Sequence, residues 1–252
     1  MSFVDGIVAQ VLMLETGLYH AYMRLAAGTD DEALHDLRIN LRRLRSLLRP
    51  LRGKDDVTDL DQAAAEVGKM TTPVRDLEVL IQELRRKGLN GPANVRQDTL
   101  AASYAAIIES STLQQFFTCL DEWPTAFRAA EQDGELRGMK KRVLNRLEKQ
   151  VESLKAALSD PAHDRHQIRL RVKRTRYAAD AYPDLSPIST ETAAALKTLQ
   201  SALGTWHDHF QWCLKAKQEP DLHPLLHRWQ TEGNAALLQA EADLVRLAEC
   251  LE

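Results

Sequence analysis

The chain has 252 residues, 44% hydrophobic and 27% charged, with a net charge of −3. That length suffices for one or two packed domains of ordinary soluble composition, and the overall charge gives no reason to expect a polyanion partner. Only 11 residues are glycine, while leucine and alanine abound, which favours helix over strand.

Taken in order, Val4, Val8, Val11, Leu12, Leu18, Tyr22 and Leu25 predict a helix over 3–27 that ends at Gly28. Thr29-Asp30-Asp31-Glu32 reads as a capping box opening a helix from about 30 to 53. In that helix Leu34, Leu37, Leu41, Leu44, Leu48 and Leu51 recur every three or four residues, an apolar core stripe. His35, Arg38, Arg42, Arg45, Arg49 and Arg52 follow the same rhythm one position later. This basic row runs beside the core stripe rather than opposite it, and like charges three or four apart repel. Something acidic should relieve them. After a break at 53–56, a third helix is expected to stop near Thr72-Pro73, because proline cannot continue the hydrogen-bond ladder. Residues 88–92 read as a loop. A long helical stretch follows, with a break expected near Trp123-Pro124, and residues 131–134 mark the boundary between halves.

The second half repeats the scheme. Leu136, Val143, Leu147, Val151, Leu154 and Leu158 predict a helix over 135–158. Asp160-Pro161 reads as the start of one over 161–182, stopped by the turn at 183–187. Helices over 188–217 and from 222 onward complete the chain. The residues His166 to Arg176 match His35 to Arg45 at a constant offset of 131, without gaps. His35 pairs with His166, Arg38 with Arg169, Arg42 with Lys173, Arg43 with Arg174 and Arg45 with Arg176. Arg75-Asp76 recurs as His207-Asp208, at an offset of 132. The expectation is one domain built by internal duplication, from halves 1–133 and 134–252, each a four-helix group.

Charge is segregated despite the near-neutral total. Residues 35–54 hold seven Lys or Arg against Asp36, and residues 163–176 hold six against Asp164. Acids elsewhere, such as Asp55, Asp56, Asp59 and Asp61, balance them. Two recurring rows of one sign point to a linear polyanion, because arginine forks match phosphate oxygens bidentately. The first row spans about 25 Å at the helical rise, which suits a long anion better than a small one. The candidate contacts are His35, Arg38, Arg42, Arg45, Arg49, Arg52, His166, Arg169, Lys173 and Arg176. Lys140 and Lys141, on a helix also carrying Arg137, Arg142, Arg146 and Lys149, rank second with Arg43 and Arg174, which the helical wheel turns away from the row. His35 and His166 are either phosphate donors that strengthen on protonation or helix-start residues bonded locally. Asp76 and Asp208, poor partners for a polyanion, are read as carboxylates that orient row arginines or cap a helix.

The His-x-x-Arg-x-x-x-Arg-Arg-x-Arg segment at His35, its counterpart at His166 and the Arg-Asp and His-Asp motifs resemble the conserved-histidine α-helical domain, CHAD, over nearly the whole chain. The resemblance implies an all-α fold of two similar four-helix bundles about a pseudo-two-fold axis. It also implies a basic central cavity that binds inorganic polyphosphate, with polyphosphate granules as a cellular partner. Some relatives carry a triphosphatase domain; no room for one is seen, and no catalysis is expected. A nucleic-acid-binding module is the alternative, though the rows lack interleaved aromatics apart from Tyr177. A phosphate-processing enzyme is a third reading that would want clustered carboxylates for metal ions. Neither a metal nor a cofactor is expected: the pairs His163/His166, His207/His209 and His223/His227 lack a third ligand. Three separated cysteines, no basic leader and no membrane-length apolar run predict a cytoplasmic protein.

Overall fold

The computed structural model describes residues 2–53, 55–160 and 164–251. Lys54, Pro161 and His163, which enter the sequence argument, lie outside them. The described residues are all-α, with nine α-helices and no strand. They form two compact units, Met1–Val143 and Leu144–Glu252. The division falls ten residues beyond the expected one, inside a helix; just before it, Leu136 and Met139 are buried.

The first unit contains α1 (Phe3–Ala27), α2 (Ala33–Leu48), α3 (Asp55–Arg86), α4 (Asn90–Ile108) and α5 (Ser111–Gln132), with a short 3-10 turn, Arg49–Leu51, after α2. α2 packs between α1 and α3, and α3 also packs on α4 and α5. All six leucines of the predicted stripe are buried, and with Val11, Leu18, Phe116, Trp123 and Phe127 they build the core. Leu12, expected in the core, is 46% exposed. α1 ends as expected, at Gly28 with φ 61°, a left-handed conformation that favours glycine.

Several expected boundaries move. α2 starts at Ala33, and the Thr29–Glu32 capping box does not form. Arg24 instead holds Asp30 (Nε–Oδ2 2.9 Å) and Asp36 (Nη1–Oδ2 2.6 Å), and the Asp30 carboxylate accepts the Glu32 amide at 3.0 Å. α3 continues through Pro73. The Thr71 hydroxyl donates to Val67 O (2.8 Å), and the Thr72 hydroxyl and Arg38 donate to Gly68 O (2.7 and 2.9 Å). Side chains thus supply donors on the turn that precedes the proline. α5 likewise continues through Pro124. Trp123 and Phe127, stacked at 4.4 Å, are both buried there. An interior proline costs about 3 kcal/mol. Each large apolar side chain recovers roughly 1.5–3 kcal/mol on burial, so the pair decides for helix. The real break lies at Ser110, whose hydroxyl accepts the Leu113 amide at 3.2 Å. That splits the expected fourth helix into α4 and α5, giving five helices rather than four. Asn90, Gly91 and Pro92, expected in a loop, form the first turn of α4, where proline is tolerated.

The second unit contains most of α6 (Met139–Leu158), then α7 (Arg165–Ala181), α8 (Thr190–Ala216) and α9 (Leu226–Leu251). Val151, Leu154, Ile168, Val172, Leu196, Leu199, Leu203, Leu244 and Leu247 form its core. α8 and α9 pack as a long antiparallel pair, fixed at one end by the Thr192 hydroxyl on Cys250 O (3.0 Å) and at the other by His209 and Glu232. α7 begins at Arg165, later than predicted, because Asp164 accepts the His166 amide at 2.7 Å and acts as the cap. No helix among the described residues is long and apolar enough to cross a membrane.

Candidate functional site

In the first unit the row divides between two tasks. Arg38 reaches α3, where its Nη1 donates to Gly68 O (2.9 Å) and Thr71 Oγ1 (2.7 Å), and its Nη2 to Thr72 Oγ1 (3.2 Å). Burial, and then Arg42, push its guanidinium below the ordinary value, while the charge of Asp76 acts in the opposite sense. Arg45 and Arg52 converge on Asp61, which is 2% exposed: Arg45 Nε donates to Oδ1 at 3.0 Å and Arg52 Nε to Oδ2 at 2.7 Å. The acid that the crowded row requires is therefore partly supplied by the chain itself. Arg42 and Arg43 are exposed, and Arg49 is half-buried in the 3-10 turn.

His35 is half-buried near the start of α2. Desolvation lowers its pKa first, and Arg75 on α3 second. Arg75 bonds buried Glu78 at 2.7 Å, and Glu78 also accepts the Tyr104 hydroxyl at 2.6 Å. His35, Arg38, Arg42 and Arg75 thus form one cationic cluster at the α2–α3 contact. Arg75 carried no binding role in the sequence reading; its recurrence as His207 was the available signal.

The second unit shows the same constellation. His166, exposed at the start of α7, stands 5.8 Å ring to ring from His207 on α8. Burial lowers the His207 pKa to about 4, assisted in order by Arg169, His166 and Lys173. The imidazole is therefore neutral at neutral pH and sits in the field of three row members. Arg176 stacks over Tyr177 (4.9 Å to the ring centre) and lies 3.5 Å from Asp180. Asp180 and Pro183 occupy the positions that match Arg49 and Arg52, so this row ends at Arg176. Lys140, Lys141 and Arg174 are exposed, and Asp208 is half-buried.

His209, beside His207, faces elsewhere: Nδ1 lies 2.7 Å from Thr205 O and Nε2 3.1 Å from Glu232. His223 and His227 are exposed. Among the described residues, no three His, Cys, Asp or Glu side chains come together as a metal site would require. Chemically, each unit presents an imidazole among three neighbouring cationic or imidazole groups, part desolvated, an arrangement that attracts phosphate oxygens.

A family model described as the CHAD domain matches residues 13–217. Among solved structures, the chain is similar to the crystal structure of the CHAD domain from the plant Ricinus communis, with a TM-score of 0.69 and 20% identity over 99% of this chain and 91% of that one. No curated protein matches.

Proposed function

The chain belongs to the CHAD domain family, and from that membership and its two cationic clusters we propose that it binds inorganic polyphosphate without turning it over. The observation that carries the reading is the recurrence, in each unit, of one imidazole beside arginines and a third-helix residue: His35 with Arg38, Arg42 and Arg75, and His166 with Arg169, Lys173 and His207. Such groups repel one another most where solvent is partly excluded, and a chain of phosphates relieves all of them at once. Connected phosphates also hold later contacts at high effective concentration, so long chains bind far better than orthophosphate.

The test is calorimetric titration with long-chain polyphosphate and with orthophosphate at equal total phosphorus. Tight binding of the polymer, weakened at least tenfold by Arg169→Ala with Lys173→Ala, supports the reading. Equal binding of polymer and monomer, or indifference to that double substitution, overturns it.

A further inference from the structure

The row on α7 has aromatic company that the sequence did not reveal. α8 brings Trp206, His207 and Phe210 beside its N-terminal end. Trp206 packs against the apolar core of its unit and is held there. Phe210 lies against it with ring centroids 6.0 Å apart, and is 48% exposed. Trp206 is 6.4 Å from His207, and His207 is 5.8 Å from His166. Within a few residues, α8 therefore passes from an imidazole in the field of Arg169 and Lys173 to an aromatic face open to solvent. An exposed phenylalanine alone is ordinary. This one is backed by a fixed indole and adjoins a cationic row, the pairing that a base joined to phosphates requires.

The arrangement also distinguishes between nucleotide classes. A single strand carries a base on every phosphate, and its binders set successive aromatic rings along a basic groove. Here the cations succeed one another from His166 to Arg176 over about 15 Å. The aromatic at the far end, Tyr177, is already engaged by Arg176 and by Gln200, whose amide donates to its hydroxyl at 3.2 Å. One open platform at one end of a run of cations fits one base followed by a chain of phosphates. We propose that the second unit binds nucleoside 5′-polyphosphates, the base stacking on Phe210 over Trp206 and the phosphates running from His166 and His207 toward Arg169 and Lys173. The inference rests on the polyphosphate reading and deepens it.

The experiment compares inorganic tetraphosphate with adenosine 5′-tetraphosphate by calorimetry in magnesium-free buffer. Esterification removes one ionisable oxygen, so tighter binding of the capped ligand cannot come from added charge. One stacked base is expected to tighten binding about tenfold, which corresponds to 1.4 kcal/mol. Phe210→Ala should abolish that ratio while leaving tetraphosphate affinity unchanged, and Phe210→Trp should retain it. Equal affinity of the two ligands for the native protein overturns the inference and leaves polyphosphate binding standing. Binding of neither overturns both. An oligoadenylate that outcompetes adenosine tetraphosphate, and loses that advantage in Phe210→Ala, overturns the single-base assignment in favour of a strand.

Discussion

His207 offers the sharpest test of the phosphate reading, because its environment should change sign when a ligand arrives. In the free protein, burial and then Arg169, His166 and Lys173 lower its pKa from 6.5 to about 4. Phosphate oxygens placed against these groups replace a positive field by a negative one that opposes the burial, so the bound value should rise back toward the ordinary one. Binding then takes up a proton between about pH 4 and 6.5, and affinity rises as pH falls through that window. Full linkage would tighten binding about 30-fold near pH 5 relative to pH 8, since the free imidazole there is only about one-tenth charged. The ring is only half-buried, so solvent screening reduces the expectation to about tenfold.

The assay is calorimetric titration with polyphosphate across that range at constant ionic strength, repeated in buffers of different ionisation enthalpy to count protons. His207→Gln should remove most of the slope and most of the proton uptake, with a residue left to His35, whose pKa is also lowered. The free protein supplies an independent sign. A folded-state value below the unfolded one gives stability that is complete above about pH 6.5 and lost as pH falls toward 4, so the apo melting temperature should drop there and polyphosphate should restore it. A flat affinity profile, or an unchanged slope in His207→Gln, would refute the reasoning, because it would mean that phosphate does not reach the His166–His207 pair.

Three further outcomes follow from the same geometry. Polyphosphate affinity should fall steeply with salt through release of counterions, and a binding constant unmoved between low and moderate salt would remove the rows as the site. Arg42→Ala with Lys173→Ala should weaken binding strongly, whereas Lys69→Ala, at a residue that pairs with Glu66 at 2.7 Å and is exposed, should matter little; equal losses would indicate diffuse attraction. Asp61→Asn should lower stability by roughly 2 kcal/mol, less than the 3–5 kcal/mol of a fully buried pair because the arginines keep solvent contact, and denaturant melts at several salt concentrations would show it.

What was legible in the sequence followed from periodicity. The Leu34–Leu51 stripe needs only a helix and an apolar partner, and it is buried throughout. Gly28 and the turn at 183–187 end helices through local backbone chemistry, and both were readable. The misplaced boundaries depend on partners remote in sequence. Pro73 stays helical while Arg38, 35 positions earlier, donates to Gly68 O on the turn before it. Pro124 stays helical because Trp123 and Phe127 are buried in a core that no local window reveals. The place of His207 was hidden for the same reason. Its motif could be seen to recur, but only the packing of α8 on α7 sets its ring against His166.

That packing also explains why a single-signed row is an incomplete guide to a binding site. Side chains beside a core stripe lie at the edge of a helix contact, so a neighbouring helix reaches them as readily as a ligand does. In the first unit the neighbour is α3, and it takes Arg38 with a carbonyl and two hydroxyls, and Arg45 and Arg52 with Asp61. In the free protein these three arginines hold α2 to α3. In the second unit, the positions that match Asp61 at offsets 131 and 132 are Thr192 and Ala193, neither of them acidic. Thr192 turns instead to Cys250 O. What the α7 row faces on α8 is His207, an imidazole held neutral first by burial and then by the cations that a phosphate would satisfy. The first row therefore meets part of its crowded charge with Asp61, while the second, besides the Arg176–Asp180 pair, carries a group that can gain a proton when an anion arrives. The second row is for that reason the one whose affinity should respond more to pH, and Arg38, Arg45 and Arg52 of the first are the arginines whose loss should also register as lost stability.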